Sequence, residues 1–155
     1  MIKDNLVDDI HFTRLKPLLV GQYAPIIQDS LVSALRGQIK SPEAVTRLMA
    51  GVHNESIQVW VALTGEGQEK QLVGMLFTQI MTDPFIAHKH LLIYGLNLKV
   101  QMTTKAFGEC SDILERFAKD KGCSFLQAQT EISGVRKLME RNGWETKTTL
   151  HEKEI

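Results

Sequence analysis

Few residues in this chain combine a type and a spacing that suit chemistry, and most of those lie in its second half. His88-x-His90 would put two imidazoles on one face of a strand, which suits a metal ion when further ligands converge. No third ligand at metal-type spacing accompanies them, so they are expected as loop histidines. Tyr94 falls inside an apolar strand candidate, where its hydroxyl either reaches a cleft or packs. Glu131 follows a second candidate, Phe125 to Thr130, where a carboxylate serves as a base or is simply solvated. Between them, KVQMTTKAF precedes a helix start and carries Lys99 and Lys105. The amides and positive dipole end of such a start suit an anion, and the same residues equally make an ordinary polar cap. Cys110 and Cys123 lack metal-type or catalytic spacing and read as small buried apolar residues in a reducing compartment. Trp60 and Trp144 are expected as core or edge aromatics.

Positioning these groups requires an alternation of strands and helices. Ile10 to Leu15 alternates weakly and suits a short first strand. Leu19, Tyr23, Ile27, Leu31 and Leu35 then recur at helical spacing up to Gly37, with Pro25 kinking that helix or starting a new one. Ser41 offers an N-cap and Pro42 a first helical position for a short helix with Ala44, Val45, Leu48 and Met49 on one face, ending at Gly51. From Ile57 the period changes to two, and the polar turn TGEGQEKQ reverses the chain into LVGMLFTQIMT, apolar on both faces and so a central strand. In the strand from Leu91 to Leu98, Gly95 marks a bulge or a close backbone approach. Phe107, Cys110, Ile113, Leu114, Phe117 and Ala118 form a helical stripe that ends at Gly122. A strand to Thr130, a helix capped by Ser133 and closed by Asn142-Gly143, and a last strand of Thr and Leu complete the chain.

Composition narrows the function. A chain of 155 residues with 43% hydrophobic content is the size of one domain, residues 1–155. Lys plus Arg total 18 and Asp plus Glu 18, so no overall charge recruits nucleic acid or an anionic membrane. No window approaches the ~20 apolar residues of a membrane span, and MIKDNLVDDIHF lacks the apolar core of a secretion signal, so a soluble, cytoplasmic protein is expected.

The order from LLIYGLNLK through ECSDILERFAKDKGC to SFLQAQTEISGVRKLMERNGWETKTTLHEKEI resembles the acetyl-CoA-binding half of the GNAT-type N-acetyltransferases. The whole chain follows that family's order, β-α-α-β-β-β-α-β-α-β. The resemblance implies an α/β (α+β) fold with a central mixed sheet flanked by helices on both faces. Leu91 to Leu98 and Phe125 to Thr130 would be parallel neighbours diverging at their C-terminal ends. It implies acetyl-CoA as co-substrate, its pantetheine arm bonded by the backbone at Leu96, Asn97 and Leu98. Its pyrophosphate would be wrapped by Gln101, Met102, Thr103, Thr104, Lys105 and Ala106, with help from Lys99 and the threonine hydroxyls. In this register Gln101 and Ala106 keep the first and last positions of the family's Q/R-x-x-G-x-G/A loop, and Thr104 stands for its first glycine. A second register, through Met102, Lys105 and Phe107, loses the motif entirely.

The family's usual catalytic groups are missing. A mid-strand Glu is replaced by Ile93, Tyr94 or Gly95, and KLMERNGW matches the family's LYEKxGF with Met139 at the Tyr position. Tyr94 and Glu131 remain as candidate catalytic residues. The implied function is acetyl transfer to a primary amine of a small molecule or protein, largely by proximity. The alternative is a catalytically degenerate GNAT-fold interaction module, of the kind viruses or mobile elements carry. The acceptor is not legible, and a homodimer is left open.

Overall fold

The segment LVGMLFTQIMT becomes the central strand of the chain. In the computed structural model, which describes residues 6–130, 133–147 and 149–155 without the side chain of Ser133, the elements are β1 (Leu6–Val7), β2 (His11–Arg14), α1 (Ala24–Ala34), α2 (Pro42–His53), β3 (Gln58–Thr64), β4 (Gln71–Thr82), β5 (Lys89–Leu98), β6 (Gln101–Met102), α3 (Thr104–Asp120), β7 (Phe125–Ala128) and α4 (Ser133–Arg141). Glu131 and the expected Ser133 cap lie outside the described residues. Five strands form one mixed sheet in the order β2-β3-β4-β5-β7, antiparallel except for the parallel β5–β7 pair. That pair is joined by a right-sized crossover through α3, as a strand-helix-strand unit requires. The expected mixed α/β sheet is thus present.

Burial on both faces of the sheet explains why β3 and β4 are largely apolar. On one face Phe12, Trp60, Leu91, Leu114 and Ala118 form a core beneath α3. On the other, Ile27, Leu31, Val52, Met75 and Phe77 form a second core beneath α1 and α2. One buried polar chain interrupts the first: the Trp60 Nε1–H donates to Thr78 Oγ1 at 3.0 Å, whose hydroxyl donates to Gln58 Oε1 at 2.9 Å. Gln58 Nε2 donates in turn to the Glu55 carbonyl at 2.9 Å, so Trp60, Thr78 and Gln58 satisfy one another within this network.

Local signals mostly act as expected. Pro25 stands in the first turn of α1, so it starts a helix instead of kinking one. Ser41 Oγ accepts from the Ala44 N–H at 3.2 Å and caps α2. Gly122, at φ 78°, ends the chain segment after α3.

Four expectations need correction. Helix α2 runs through Gly51 to His53, because that glycine is a point of close packing: a Cβ there would lie 3.1 Å from Ile57 Cδ1. His90 is in β5 and not in a loop. Strand β7 stops at Ala128, short of Thr130. The last strand is absent among the described residues 144–147 and 149–155, whose run of Glu and Lys offers no apolar face to bury. Strand β1, which carries only two residues, was not legible at all.

Candidate active site

The site is built where one strand pairing of the sheet stops. Strand β5 pairs with β4 along its length but with β7 only from His90 opposite Phe125 to Ile93 opposite Ala128. The pairing ends there, β7 stopping at Ala128, and among the described residues Tyr94 to Leu98 have no β7 partner. At the same place Thr78 stands opposite Ile93 and Phe77 opposite Gly95, so Tyr94 is the extra residue of a β-bulge. Gly95 serves both expected purposes, because a Cβ on it would lie 3.1 Å from Ala34 Cβ on α1.

The bulge turns Tyr94 toward α1 and α2, where it packs against the second core. There it lines an open cleft of about 380 Å³ together with Gln38, Arg47, Ser56 and Gln79. On the opposite face, an apolar cavity of about 70 Å³ lies between β5, α3 and α4. Its walls include Leu96 and Leu98 of β5, Met102, Phe107 and Cys110, and Leu138 of α4. Burial, reinforced by the Glu109 charge, pushes the Cys110 thiol up to about 12, so this wall is chemically inert at neutral pH. Trp144, expected only as a core or edge aromatic, closes the cavity; its Nε1–H donates to Ser111 Oγ at 3.2 Å. The sequence signal for it was the Asn-Gly turn, in which the Trp144 N–H donates to the Met139 carbonyl at 3.0 Å and folds the chain back.

The helix start holds a surprise. Thr103 caps α3, its Oγ1 accepting from the Ala106 N–H at 3.1 Å. Strand β1 lies parallel to β6, Leu6 opposite Gln101 and Val7 opposite Met102, and the Val7 carbonyl accepts from the Thr103 N–H at 3.0 Å. The Thr103 hydroxyl donates to Asp8 Oδ1 at 2.8 Å, and Lys105 Nζ stands 3.8 Å from Asp8 Oδ2 and 4.0 Å from Glu109 Oε1. A carboxylate therefore already sits where the dipole and the lysine favour negative charge. Nothing in the spacing of the chain relates residue 8 to residue 103, so sequence reasoning missed it.

Asn97 is half-buried in β5 opposite Met75. Gln101, Thr104 and Lys105 are exposed, whereas Ala106 is fully buried. Met139 is half-buried on α4 and is not part of the cavity wall. His88 and His90 stand at the far end of β5, ring centroids 5.9 Å apart, with His88 stacked on Phe125 at 4.9 Å. Burial, then the neighbouring His88, lowers the pKa of His90, and its Nδ1 is buried without a partner among the described residues. Among those residues no group of three potential metal ligands converges, and no helix is long and apolar enough to cross a membrane.

No protein-family model matches the chain, and no curated protein matches it in sequence. Solved structures do match its fold over nearly its full length. An aminoglycoside acetyltransferase from an uncultured soil metagenomic sample, in complex with sisomicin, superposes with a TM-score of 0.67 at 14% identity, covering 94% of this chain and 95% of that one. AAC(6')-Iy, in complex with the bisubstrate analog CoA-S-monomethyl-acetylneamine, gives 0.62 at 12% identity, covering 96% and 100%. The ribosomal-protein-alanine N-acetyltransferase from Brucella melitensis biovar Abortus 2308 gives 0.59 at 16% identity, covering 95% and 99%. With its short parallel pair, its bulge and this set of likenesses, the chain has the fold of the GNAT-type N-acetyltransferases.

Proposed function

We propose that this protein is an acetyl-CoA-dependent N-acetyltransferase acting on a primary amine. The observation that carries the proposal is the early end of the β5–β7 pairing, with an apolar cavity on one face of the sheet beside β5 and a polar cleft on the other. In this reading a slender thioester arm and an amine approach the unpaired stretch of β5 from opposite sides. The residues present fit that arm in part. Leu96, Leu98, Phe107 and Leu138 offer an apolar wall, and the unpaired backbone of Tyr94 to Leu98 offers hydrogen-bonding groups. The pyrophosphate would lie at the start of α3 with Lys105, once the Asp8 carboxylate moves aside.

Acetyl-CoA, when bound, supplies an activated acetyl group. The chain's own contribution is position and proton handling. The polar cleft orients the amine, α3 and the β5 edge fix the donor, and proximity then lowers the barrier. Tyr94 is the titratable side chain that the bulge places in the cleft at the start of the unpaired stretch, and its phenol hydroxyl is suited to pass a proton to a departing thiolate.

One observation favours a second reading, a GNAT-fold interaction module without catalysis: Val7 and Asp8 engage the Thr103 N–H and hydroxyl that would otherwise face an anion. Calorimetry with acetyl-CoA, followed by an assay of CoA release over a panel of amines, separates the two. Binding and turnover support the transferase. Absence of both supports the module.

A further inference from the structure

We infer that the acceptor is an amine whose carrier also bears one carboxylate, an amino acid or short peptide, held by Arg47. The inference rests on the transferase reading and concerns the cleft on the α1–α2 face. No Asp or Glu is among the described residues that line this cleft. Among the described residues its polar groups are the side chains of Gln38, Ser56, Gln79 and Tyr94 and one cation, Arg47. A polycationic acceptor entering here would leave its ammonium groups without counter-charges and would meet a guanidinium, which costs binding on both counts.

Nearby carboxylates do not cancel that charge. Glu55, at the foot of α2, is taken by Arg14 at 3.3 Å. Glu43 sits in the first turn of α2 and forms no ion pair with Arg47. The Arg47 guanidinium, exposed on α2, has no ion-pair partner among the described residues. A planar guanidinium matches a carboxylate with two parallel hydrogen bonds. One cation neutralises one negative charge, which points to a monocarboxylate over a phosphate dianion. The glutamine amides and the Tyr94 hydroxyl then remain to orient the amine end toward the unpaired stretch of β5.

The test compares glycylglycine with glycylglycinamide, which differ by the one negative charge, and with sisomicin as the polycation. Binding to each is measured by calorimetry, and acetyl transfer by CoA release, for wild type, Arg47→Gln and Arg47→Lys. The expected result is about a tenfold or greater preference of wild type for glycylglycine over its amide. Arg47→Gln should erase that preference and Arg47→Lys should keep part of it. A preference for the amide or for sisomicin, a preference that survives Arg47→Gln, or no binding of any probe would overturn the inference. Carboxylate-selective binding in a protein that does not bind acetyl-CoA would uphold the cleft's selectivity and defeat the transferase reading, so the two failures are distinguishable.

Discussion

Thr103 concentrates the tension in this molecule. Its hydroxyl accepts from the first turn of α3 and donates to Asp8, and its N–H is held by Val7, so the residue best placed to meet a phosphate is already engaged. Asp8 is exposed, and its pairing with Lys105 at 3.8 Å is a surface contact worth little by itself. Displacing it by a doubly charged ligand is therefore inexpensive. Asp8→Asn should strengthen acetyl-CoA binding several-fold by removing the competing charge, whereas Lys105→Glu should weaken it tenfold or more, about 1.4 kcal/mol; calorimetry reads both, and equal affinities across the three proteins would move the pyrophosphate elsewhere. For the chemistry, Tyr94→Phe should lower kcat by about two powers of ten or more with little change in KM, as loss of a general acid does. Met139→Tyr should leave the rate unreduced, since Met139 lies off the cavity wall. Tyr94 stood out in the sequence as a polar-tipped residue inside an apolar strand; Asp8 did not, because its partner lies about a hundred residues away and β1–β6 pairing brings them together.

At the scale of elements, the bulge and the glycine beside it do two jobs with one irregularity. The extra residue re-aims a side chain into the cleft, and the missing Cβ lets α1 lie against β5. Gly95→Ala would place a methyl 3.1 Å from Ala34 Cβ in a packed core, so it should destabilise by about 1–3 kcal/mol. Denaturant unfolding should show a lower midpoint with an unchanged slope; an unchanged midpoint would mean that α1 yields freely. Sequence reasoning found this glycine because an apolar strand seldom keeps one without cause. It found the helices through their caps and stripes, and it found β4 as central because both its faces are apolar. It failed where the signal is short or absent. Two residues of β1 are too few to show a period, and the Thr-rich tail mimics strand propensity without an apolar face to bury. Gly51 misled because a helix-ending glycine and a close-packed one look alike in sequence.

Over the whole molecule, one sheet serves two cores, so damage to either is felt through shared strands. Phe77, fully buried beneath α1, stands opposite Gly95, and Phe77→Ala should cost about 3–5 kcal/mol by cavity formation. The far end of the sheet carries a different sensitivity. His90 has its pKa lowered by burial and by His88, so the unfolded chain takes up that proton first as pH falls. Stability is then fully present above the ordinary histidine value of about 6.5 and is lost as pH drops from there through the lower folded value. Melting temperature measured from pH 8 to 5 should fall at the acid end, and His90→Gln should flatten that fall; an identical acid slope in the variant would place the titration elsewhere.

The early end of the β5–β7 pairing also has a consequence in time. Among the described residues, amides on the β7 side from Tyr94 to Leu98 have no strand partner, whereas those that point toward β4 are locked in the ladder. Deuterium should therefore enter this single strand unevenly, exchanging fast on the open edge and slowly on the paired one. A ligand bonded to the unpaired edge would close the fast class alone. The strand thus keeps its own record of occupancy, readable residue by residue before any acceptor is known.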